Sequence, residues 1–599
     1  MVDFSFCHID EILMHRKSLR RQLLTAEELK DLRVAVLGGA TTTELVNFLD
    51  LLLLQGGFRP VFYQSEYGRY YEDAVQDPQA LIDFAPDLVY IHTSCRDVRH
   101  SPPIDCTEAQ FNESVESELE RFLEIWNSLD RNLGCQVIQS NFETPPYAIL
   151  GNMDSVAYGG LSRFLMQVNV AFAQEACKRP KLILQDAHGI SARLGTRNWF
   201  DWRRYWNYKL LLTPEANLEV ARSLYSMVRA MYGKSRKVLV LDLDNTLWGG
   251  VIGDDGIEKI QIGRETPVAE AYTAFQEYCL SLRNRGILLA VCSKNTEEIA
   301  KSGFEHPSSI LKLEDISCFK ANWNPKHENL QEIARELNLG VDSFVFVDDN
   351  PAERVIVQAQ LPQVAVPDVG SDVSRFAEIL EQGRFFEPIA LSKEDLVRAA
   401  LYADNSRRAA LQRKFANYGE YLDSLEMVAE IDSFKPLYLD RIAQLTNKTN
   451  QFNLTTQRYT LAEMEAIADD EHHIALYGRL TDRFGDNGLI SIVVGRIERA
   501  TLHIDLWLMS CRVLKRDMEF AMLDAIVERS LDAGLERLMG YYFPTAKNGM
   551  VADFYAKLGF EPSVADDRAL PEGATVWNLH LADYKPKNQH IHVMEHANA

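Results

Sequence analysis

No stretch of this 599-residue chain is long and apolar enough to cross a bilayer as a helix; runs such as residues 45–54 are interrupted and fall far short of a span. The opening Met1-Val2-Asp3-Phe4 has no basic stretch followed by an apolar core, so no secretory leader is expected and the cytoplasm is the expected location. CxxC spacing is missing and the nine cysteines are odd in number. Reduced thiols are therefore expected in place of a disulfide frame or a zinc site. Positive charge is also scarce: 63 Lys and Arg against 86 Asp and Glu leave a net charge of −23. Binding phosphate backbones needs the opposite surplus, so neither nucleic acid nor an anionic membrane is expected as a partner. Internal repeats and low-complexity blocks are absent. What remains is an ordinary globular composition, 46% apolar and 25% charged, in a chain too long for one core.

Against that background three short apolar runs stand out, each ending in polar side chains. Residues 237–241 precede Asp242-Leu243-Asp244-Asn245-Thr246, residues 287–291 precede Cys292-Ser293-Lys294-Asn295, and residues 343–347 precede Asp348-Asp349-Asn350. A strand buried on both faces reads as a continuous Val/Ile/Leu run, and open α/β sheets bind ligands at the carboxyl ends of their strands. Asp242 and Asp244, two apart, can lean the same way and repel unless a cation sits between them. Mg²⁺ takes such oxygen ligands, and an Asp carboxylate can attack phosphorus while a second carboxyl protonates the leaving oxygen. Ser293 can donate to phosphoryl oxygens, and Lys326 in Asn324-Pro325-Lys326 can neutralise their charge. Asp348 and Asp349 would complete the cation's shell and anchor the lysine.

The surrounding pattern is α/β throughout. Strands at 32–37, 87–92, 135–139 and 182–184 alternate with helices, giving an N-terminal domain over 1–232. A second α/β unit spans 233–387, with helices at 268–285 and 327–337. Residues 392–427 read as a charged helical connector. Strands at 474–480, 489–496 and 501–509, a helix at 517–533, a strand at 538–543, a helix at 550–558 and a strand at 575–581 make an α+β domain over 388–585. The tail from 586 reads as loose. About 20 residues separate Thr246 from the next helix, and nothing long lies between Ser293 and Lys326. No lid domain fits there, which suits a large substrate or closure by a neighbouring domain.

Asp242-x-Asp244-x-Thr246, Ser293, Lys326 and Asp348-Asp349 resemble motifs I to IV of the haloacid-dehalogenase (HAD) superfamily. The string from Val240 to Gly253, with residues 289–295 and 346–351, resembles its FkbH-like branch, subfamily IIIC. So do 447–454, 483–488, 509–513 and 544–548. The long form of that branch carries an N-terminal SGNH-like and a C-terminal GNAT-like domain. The resemblance implies a Rossmann-like HAD sheet without a large cap, flanked by an SGNH/flavodoxin-like domain and a GNAT-like domain. It also implies an enzyme that loads a glyceryl unit from 1,3-bisphosphoglycerate, a small phosphorylated three-carbon acid, onto the phosphopantetheine thiol of an acyl carrier protein in polyketide or hybrid biosynthesis. In that reading Asp242 is the nucleophile and Asp244 its acid/base partner. Thr246, Ser293, Lys294 and Lys326 bind phosphate. Asp242, Asp244 and Asp349 hold Mg²⁺, with Asp348 nearby orienting Lys326.

Acyl transfer also asks for a thiol. Cys511, beside Arg512 and near Lys515 and Arg516 at a helix start, is preferred to Cys292, since cationic neighbours and a helix N-terminus favour thiolate. The loop 512–517 lacks the glycines of a pyrophosphate cradle, so a single carrier phosphate met by Arg512, Lys515 or Arg516 fits it better than acetyl-CoA. Asn447, Lys448 and Asn450 are candidates for substrate or carrier contact, with turn and cap roles as the alternative. Arg407, Arg408, Arg413 and Lys414 form another candidate carrier patch. In the N-terminal domain, Gly38-Gly39-Ala40-Thr41-Thr42, Asn141 and Asp186-Ala187-His188 resemble SGNH blocks but lack the serine nucleophile and the Asp-x-x-His spacing. That domain is read as non-catalytic. A HAD phosphatase acting on a small phosphorylated metabolite, or a scaffold that recruits carrier proteins, are the competing readings.

Overall fold

Parallel strands built from unbroken apolar runs must be covered on both faces, and the chain does this twice, in separate units. In a computed structural model of the chain, described over residues 9–25, 29–390, 396, 401–402, 408, 411–412, 414–449, 451–510, 513–545, 548–563 and 570–594, the units are Met1–Ala230 and Met231–Ala599.

The first unit holds five parallel strands, β1 (Lys30–Gly38), β2 (Phe58–Gln64), β3 (Leu88–His92), β4 (Gln136–Ser140) and β5 (Leu182–Gln185), in the order β2-β1-β3-β4-β5. That is the flavodoxin-like order, with the direction of winding reversing between β1 and β3. The helix Thr43–Gln55 buries nine of its residues. The helix Glu108–Asn132 starts at a capping box in which Thr107 and Gln110 each accept the other's backbone N–H. Its Phe122 meets Phe142 and Phe172 edge to face, and its Trp126 meets Phe172 likewise.

The second unit contains two sheets. β6 (Val238–Leu241), β7 (Leu288–Ser293), β8 (Ile316–Ala321) and β9 (Phe344–Val347) are parallel in the order β8-β7-β6-β9. Period two splits their side chains cleanly. Leu239, Leu241, Leu289, Val291, Val345 and Val347 pack with Trp248 and Phe275 on one face. Val238, Val240, Ala290, Cys292, Phe344 and Phe346 pack with Leu330 and Ile333 on the other.

The other sheet has eight strands: β10 (Met427–Ser433), β11 (His473–Asp482), β12 (Gly485–Glu498), β13 (Thr501–Met509), β14 (Arg537–Tyr542), β15 (Glu561–Ser563), β16 (Thr575–His580) and β17 (Ile591–Val593). Their order is β15-β16-β14-β13-β12-β11-β10-β17, antiparallel except at β13–β14 and β10–β17. The helix Met518–Asp532 packs its Met518, Met522 and Ile526 into the core of this sheet.

Much of the connector expected at 392–427, up to residue 413, lies outside the described residues; Tyr418–Ser424 is helical. The tail corrects the sequence reading. Far from loose, Ile591–Val593 adds a parallel edge strand to β10, and His590 Nδ1 sits 2.7 Å from Asp423 Oδ1. The Asp524 carboxylate accepts the backbone N–H groups of Lys587 and Asn588, both at 2.9 Å. Three residues are too few to register as a strand in the sequence. Deleting residues 587–599 should therefore cost about 2–4 kcal/mol, from the lost burial of Ile591 and the loss of two backbone donors to Asp524. Calorimetry should show the melting temperature falling by several degrees; an unchanged melt would contradict this role for the tail.

Candidate active site

β6 lies between β7 and β9, so whatever follows Leu241 emerges beside the ends of both neighbours. Leu241 is level with Val291 on one side and Val347 on the other. The next residues, Asp242 and Asp348, thus meet at the carboxyl edge, with Ser293 one step further on β7. Lys326 is the first residue of the helix Lys326–Leu337, which packs against this sheet. Its ammonium reaches back under the edge, 2.6 Å from Asp348 Oδ2 and 3.0 Å from Asp242 Oδ1.

Beyond Asp242 the chain turns sharply, with Asn245 in the left-handed region at φ 54. The turn brings three donors to Asp244. Trp248 Nε1 and the Ile252 amide both donate to Oδ1 at 3.0 Å, and Asn295 Nδ2 donates to Oδ2 at 2.9 Å. Thr246 is fully buried and accepts the Asp349 amide at 3.2 Å while its hydroxyl donates to Asp349 Oδ1 at 3.4 Å. The Asp348 and Asp349 carbonyls both accept from Arg354 Nη1, at 2.8 and 2.7 Å. The acidic pair is thereby fixed at backbone and side chain.

The electrostatics are lopsided. One ammonium, Lys326, faces Asp242, Asp244, Asp348 and Asp349. Burial pushes the Asp348 carboxyl up to about 6, with the Asp242 charge adding to it. Asp349 is raised by burial and then by Asp242, and Asp244 by burial foremost. Burial alone would pull the Lys326 pKa down; Asp242 and Asp348 more than offset it and leave it raised. Asp242, Asp348 and Asp349 each offer an oxygen within 4.8 Å of the other two. Among the described residues, Asp242 Oδ1 is buried and accepts no hydrogen bond, its one close partner being the Lys326 charge. A buried, acid-rich, all-oxygen donor set with an unsatisfied carboxylate oxygen fits a hard divalent cation, and Mg²⁺ in particular. Ser293 Oγ, at the same edge, makes no hydrogen bond among the described residues and is free to meet a phosphoryl oxygen.

Several sequence-predicted residues are placed otherwise. Lys294 ion-pairs with Glu353 Oε1 at 2.5 Å, and Thr246 is spent on Asp349, so neither hydroxyl nor ammonium is directed at phosphate. Cys292 is fully buried, its thiol 3.7 Å from the Lys326 carbonyl and its pKa pushed up by burial. The strand's alternation turns it to the core while Ser293 takes the edge, which removes it as an acyl carrier. Arg516 is buried too; it donates to Asp482 Oδ2 at 2.9 Å and Asn487 Oδ1 at 3.2 Å, while Arg408 holds the other Asp482 oxygen at 2.8 Å. Neither presents its charge to a partner. Asn447 closes a turn by donating to the Ala443 and Tyr459 carbonyls, both at 3.0 Å. Lys515 is exposed. The Lys448 side chain, Asn450, Cys511, Arg512, Arg407 and Arg413 lie outside the described residues.

In the first unit Asp186 Oδ1 accepts from Gly189 N and Asn141 Nδ2, both at 3.0 Å, and so caps its helix. The Thr41 hydroxyl donates to the Tyr208 carbonyl. These residues do not assemble a hydrolytic triad. Sequence reasoning assigned no role to Trp248, Asn295 and Arg354. The indole four residues beyond Asp244 was the one readable hint, because that spacing suits a turn closing on its own carboxylate.

The chain resembles a solved structure. The N-terminal part of BF1531 from Bacteroides fragilis, which contains a phosphatase domain and was crystallised in complex with Mg, is 33% identical to this chain. The match covers 63% of this chain and 99% of that one, with a TM-score of 0.58. The chain belongs to the HAD-like phosphatase family. A GNAT-family acetyltransferase from Streptococcus pneumoniae matches at 17% identity over 25% of this chain and 99% of its own, with a TM-score of 0.21. The ribosomal-protein-S18-alanine N-acetyltransferase from Escherichia coli matches at 12%, over 27% and 99%, also at 0.21. Neither of these two likenesses bears on activity. No family model and no curated protein matches the chain.

The acidic cluster of this HAD-like phosphatase has a pH signature. Asp348 has an ordinary value of 3.8 and a folded value of about 6. Between the two the folded state holds more proton than the unfolded state, so metal-free stability contributed by this group falls as pH rises through that window. Asp244 and Asp349, also raised, act in the same direction. Mg²⁺ relieves the repulsion only where the carboxylates are ionised. Its addition after EDTA treatment should therefore raise the melting temperature more at about pH 7.5 than at about pH 5. Equal shifts at the two pH values would contradict a carboxylate cation site.

Proposed function

We propose that this chain is a Mg²⁺-dependent phosphoryl-transfer enzyme that forms an aspartyl-phosphate on Asp242 and serves as a glyceryltransferase and phosphatase for an acyl carrier protein. The observation that carries the phosphoryl chemistry is the convergence of Asp242, Lys326, Asp348 and Asp349 at one sheet edge, with Asp244 clamped beside them.

Asp242 attacks phosphorus through a carboxylate oxygen; the new P–O bond forms as the bond to the leaving oxygen breaks. Asp244 gives its proton to that leaving oxygen, a role that its burial-raised pKa suits. Lys326 and Ser293 draw charge from the equatorial phosphoryl oxygens. Water then attacks the same phosphorus, Asp244 takes up its proton, and Asp242 is released with inorganic phosphate. Asp242 and Asp349, with Asp348 adjacent, would hold Mg²⁺, which supplies neutralisation of phosphoryl charge during the approach of the carboxylate. Asp348 is the anchor of Lys326. Trp248, Asn295 and the Ile252 amide orient Asp244.

The carrier reading rests on the motif resemblance across residues 235–585 and on the open approach to the site. Residues 247–266 hold only isolated bridges, from Trp248 back to Asp244 and between Gly249 and Gln261, and the four-residue helix Ile252–Asp255 before the helix Pro267–Asn284. A phosphopantetheine arm can enter where no lid domain intervenes. With 1,3-bisphosphoglycerate, the thiol attacks the acyl-phosphate carbonyl, so a C–S bond forms as phosphate leaves, and the phosphate ester is hydrolysed at Asp242. The burial of Cys292 leaves Cys511, or direct transfer to the carrier thiol, as the route.

Incubation with Mg²⁺, 1,3-bisphosphoglycerate and holo carrier protein should add a glyceryl mass to the carrier. Asp242→Asn should lower turnover of the phosphate ester by about 10³-fold or more. Release of phosphate from small phosphate esters with no carrier adduct would reduce the reading to a small-molecule phosphatase. Undiminished turnover by Asp242→Asn would remove Asp242 as the nucleophile.

A further inference from the structure

Residues 193–209 carry five cations, Arg193, Arg197, Arg203, Arg204 and Lys209, against the single carboxylate Asp201, in a chain of net charge −23. Six residues of the same stretch are aromatic: Trp199, Phe200, Trp202, Tyr205, Trp206 and Tyr208. Trp199, Phe200 and Tyr205 are buried and form a platform. Trp206 and Tyr208, by contrast, are 62% and 68% exposed.

The stretch is held rigidly at both ends. The helix Trp202–Tyr208 opens on Asp201, whose carboxylate accepts the Arg204 amide at 3.0 Å, and ends at Lys209 in the left-handed region at φ 59. The Lys209 carbonyl accepts the Thr41 amide at 2.9 Å, and the Tyr208 carbonyl accepts the Thr41 hydroxyl at 3.1 Å. Thr41 stands just past the end of β1. From the end of β3 comes Arg96, its guanidinium 4.8 Å from the Tyr205 ring centroid and 5.3 Å from that of Trp206. Lys209 Nζ lies 5.2 and 5.5 Å from the same two rings. Tyr147, itself 62% exposed, stacks on Trp202 at 6.0 Å. The cluster therefore sits over the carboxyl edge of the sheet, where β1 and β3 part, which is the binding position of doubly wound sheets.

Exposed Trp and Tyr rings pinned beside Arg are costly to leave in water and cheap to order on binding. They are also the residue types that dominate the energetics of protein interfaces. The charge selects the partner. Arg193, Arg197 and Arg203 are exposed and form no ion pair among the described residues, whereas Arg204 is paired with Glu44. A long polyanion such as nucleic acid would meet the net negative surface beyond this patch. A compact acidic face would meet only the patch within a Debye length.

We propose that the Arg96–Lys209 face of the first unit is a docking surface for an acidic protein; that this protein is the acyl carrier protein rests on the function proposed above. Arg197→Glu combined with Arg203→Glu alters only exposed side chains outside the phosphoryl site. The pair should weaken binding of the holo carrier protein about tenfold or more, and flatten the salt dependence of that binding, with turnover of a small aryl phosphate unchanged. Trp206→Ala should weaken carrier binding similarly by removing the ring, without changing charge. A carrier that binds through these residues yet is never acylated would uphold the docking surface and overturn the acyl-transfer reading. Loading of the carrier at wild-type rate and affinity by the variants would do the reverse. Failure of the wild type to bind the carrier, or binding of single-stranded nucleic acid that the charge reversals abolish, would overturn the docking surface.

Discussion

A single buried ammonium sets the terms for the phosphoryl site. Lys326 Nζ, 2.6 Å from Asp348 and 3.0 Å from Asp242, is, among the described residues, the one cation facing four carboxylates at the edge of a parallel sheet. Burying charge is tolerable only where it is paired, and here the pairing is incomplete by design of the sequence: the acids outnumber their counter-charge. The imbalance raises the carboxyls of Asp348, Asp349 and Asp244 and leaves an oxygen of Asp242 without a hydrogen bond. A divalent cation would offset that excess and allow an anionic phosphoryl group to approach. The backbone pays for the arrangement through Arg354, which ties down the carbonyls of both Asp348 and Asp349, and through Thr246, which fixes Asp349.

Asp242 and Asp244 differ because their surroundings differ. Asp242 Oδ1 lies against the Lys326 ammonium and accepts no hydrogen bond among the described residues. Asp244 is fixed by the turn, its two oxygens engaged by Trp248, Ile252 and Asn295. A nucleophile needs a free lone pair and an acid/base needs a fixed orientation, and the turn after β6 supplies the second without obstructing the first. Between β6 and the helix Pro267–Asn284 the chain holds only short elements, so no lid domain is inserted there.

How much of this could be read in the sequence follows from burial. β6, β7 and β9 were legible because strands covered on both faces leave unbroken apolar runs, so their polar ends marked the sheet edge directly. Ser293 and Cys292 were separable in principle by period-two alternation, which sends the serine to the edge and the thiol to the core. The fate of Arg516 was not legible: its partner Asp482 belongs to β11, and nothing in the local run of cations distinguishes a solvated helix start from a buried ion pair. The amide-rich stretch around Asn447 misled for a related reason, since an amide that closes a turn and one that binds a ligand have the same composition. β17 was too short to carry a pattern, and β10 offered alternation without the apolar density of its neighbours. In the first unit the α/β alternation and four of the five strands were read, whereas β2 (Phe58–Gln64) was not, and the aromatic–cationic face over its edge came from tertiary contacts between residues near 41, 96 and 206.

The central claim is that Asp242 carries phosphate during turnover. It is tested most directly by acid-quenching the Mg²⁺-loaded enzyme while it turns over a small phosphate ester, then mapping the adduct by peptide mass spectrometry. A phosphoryl group on the peptide that contains Asp242, absent from Asp242→Asn, is the result the account predicts. Phosphate found on another residue, or steady turnover with no adduct in the wild type and full activity in Asp242→Asn, would contradict it.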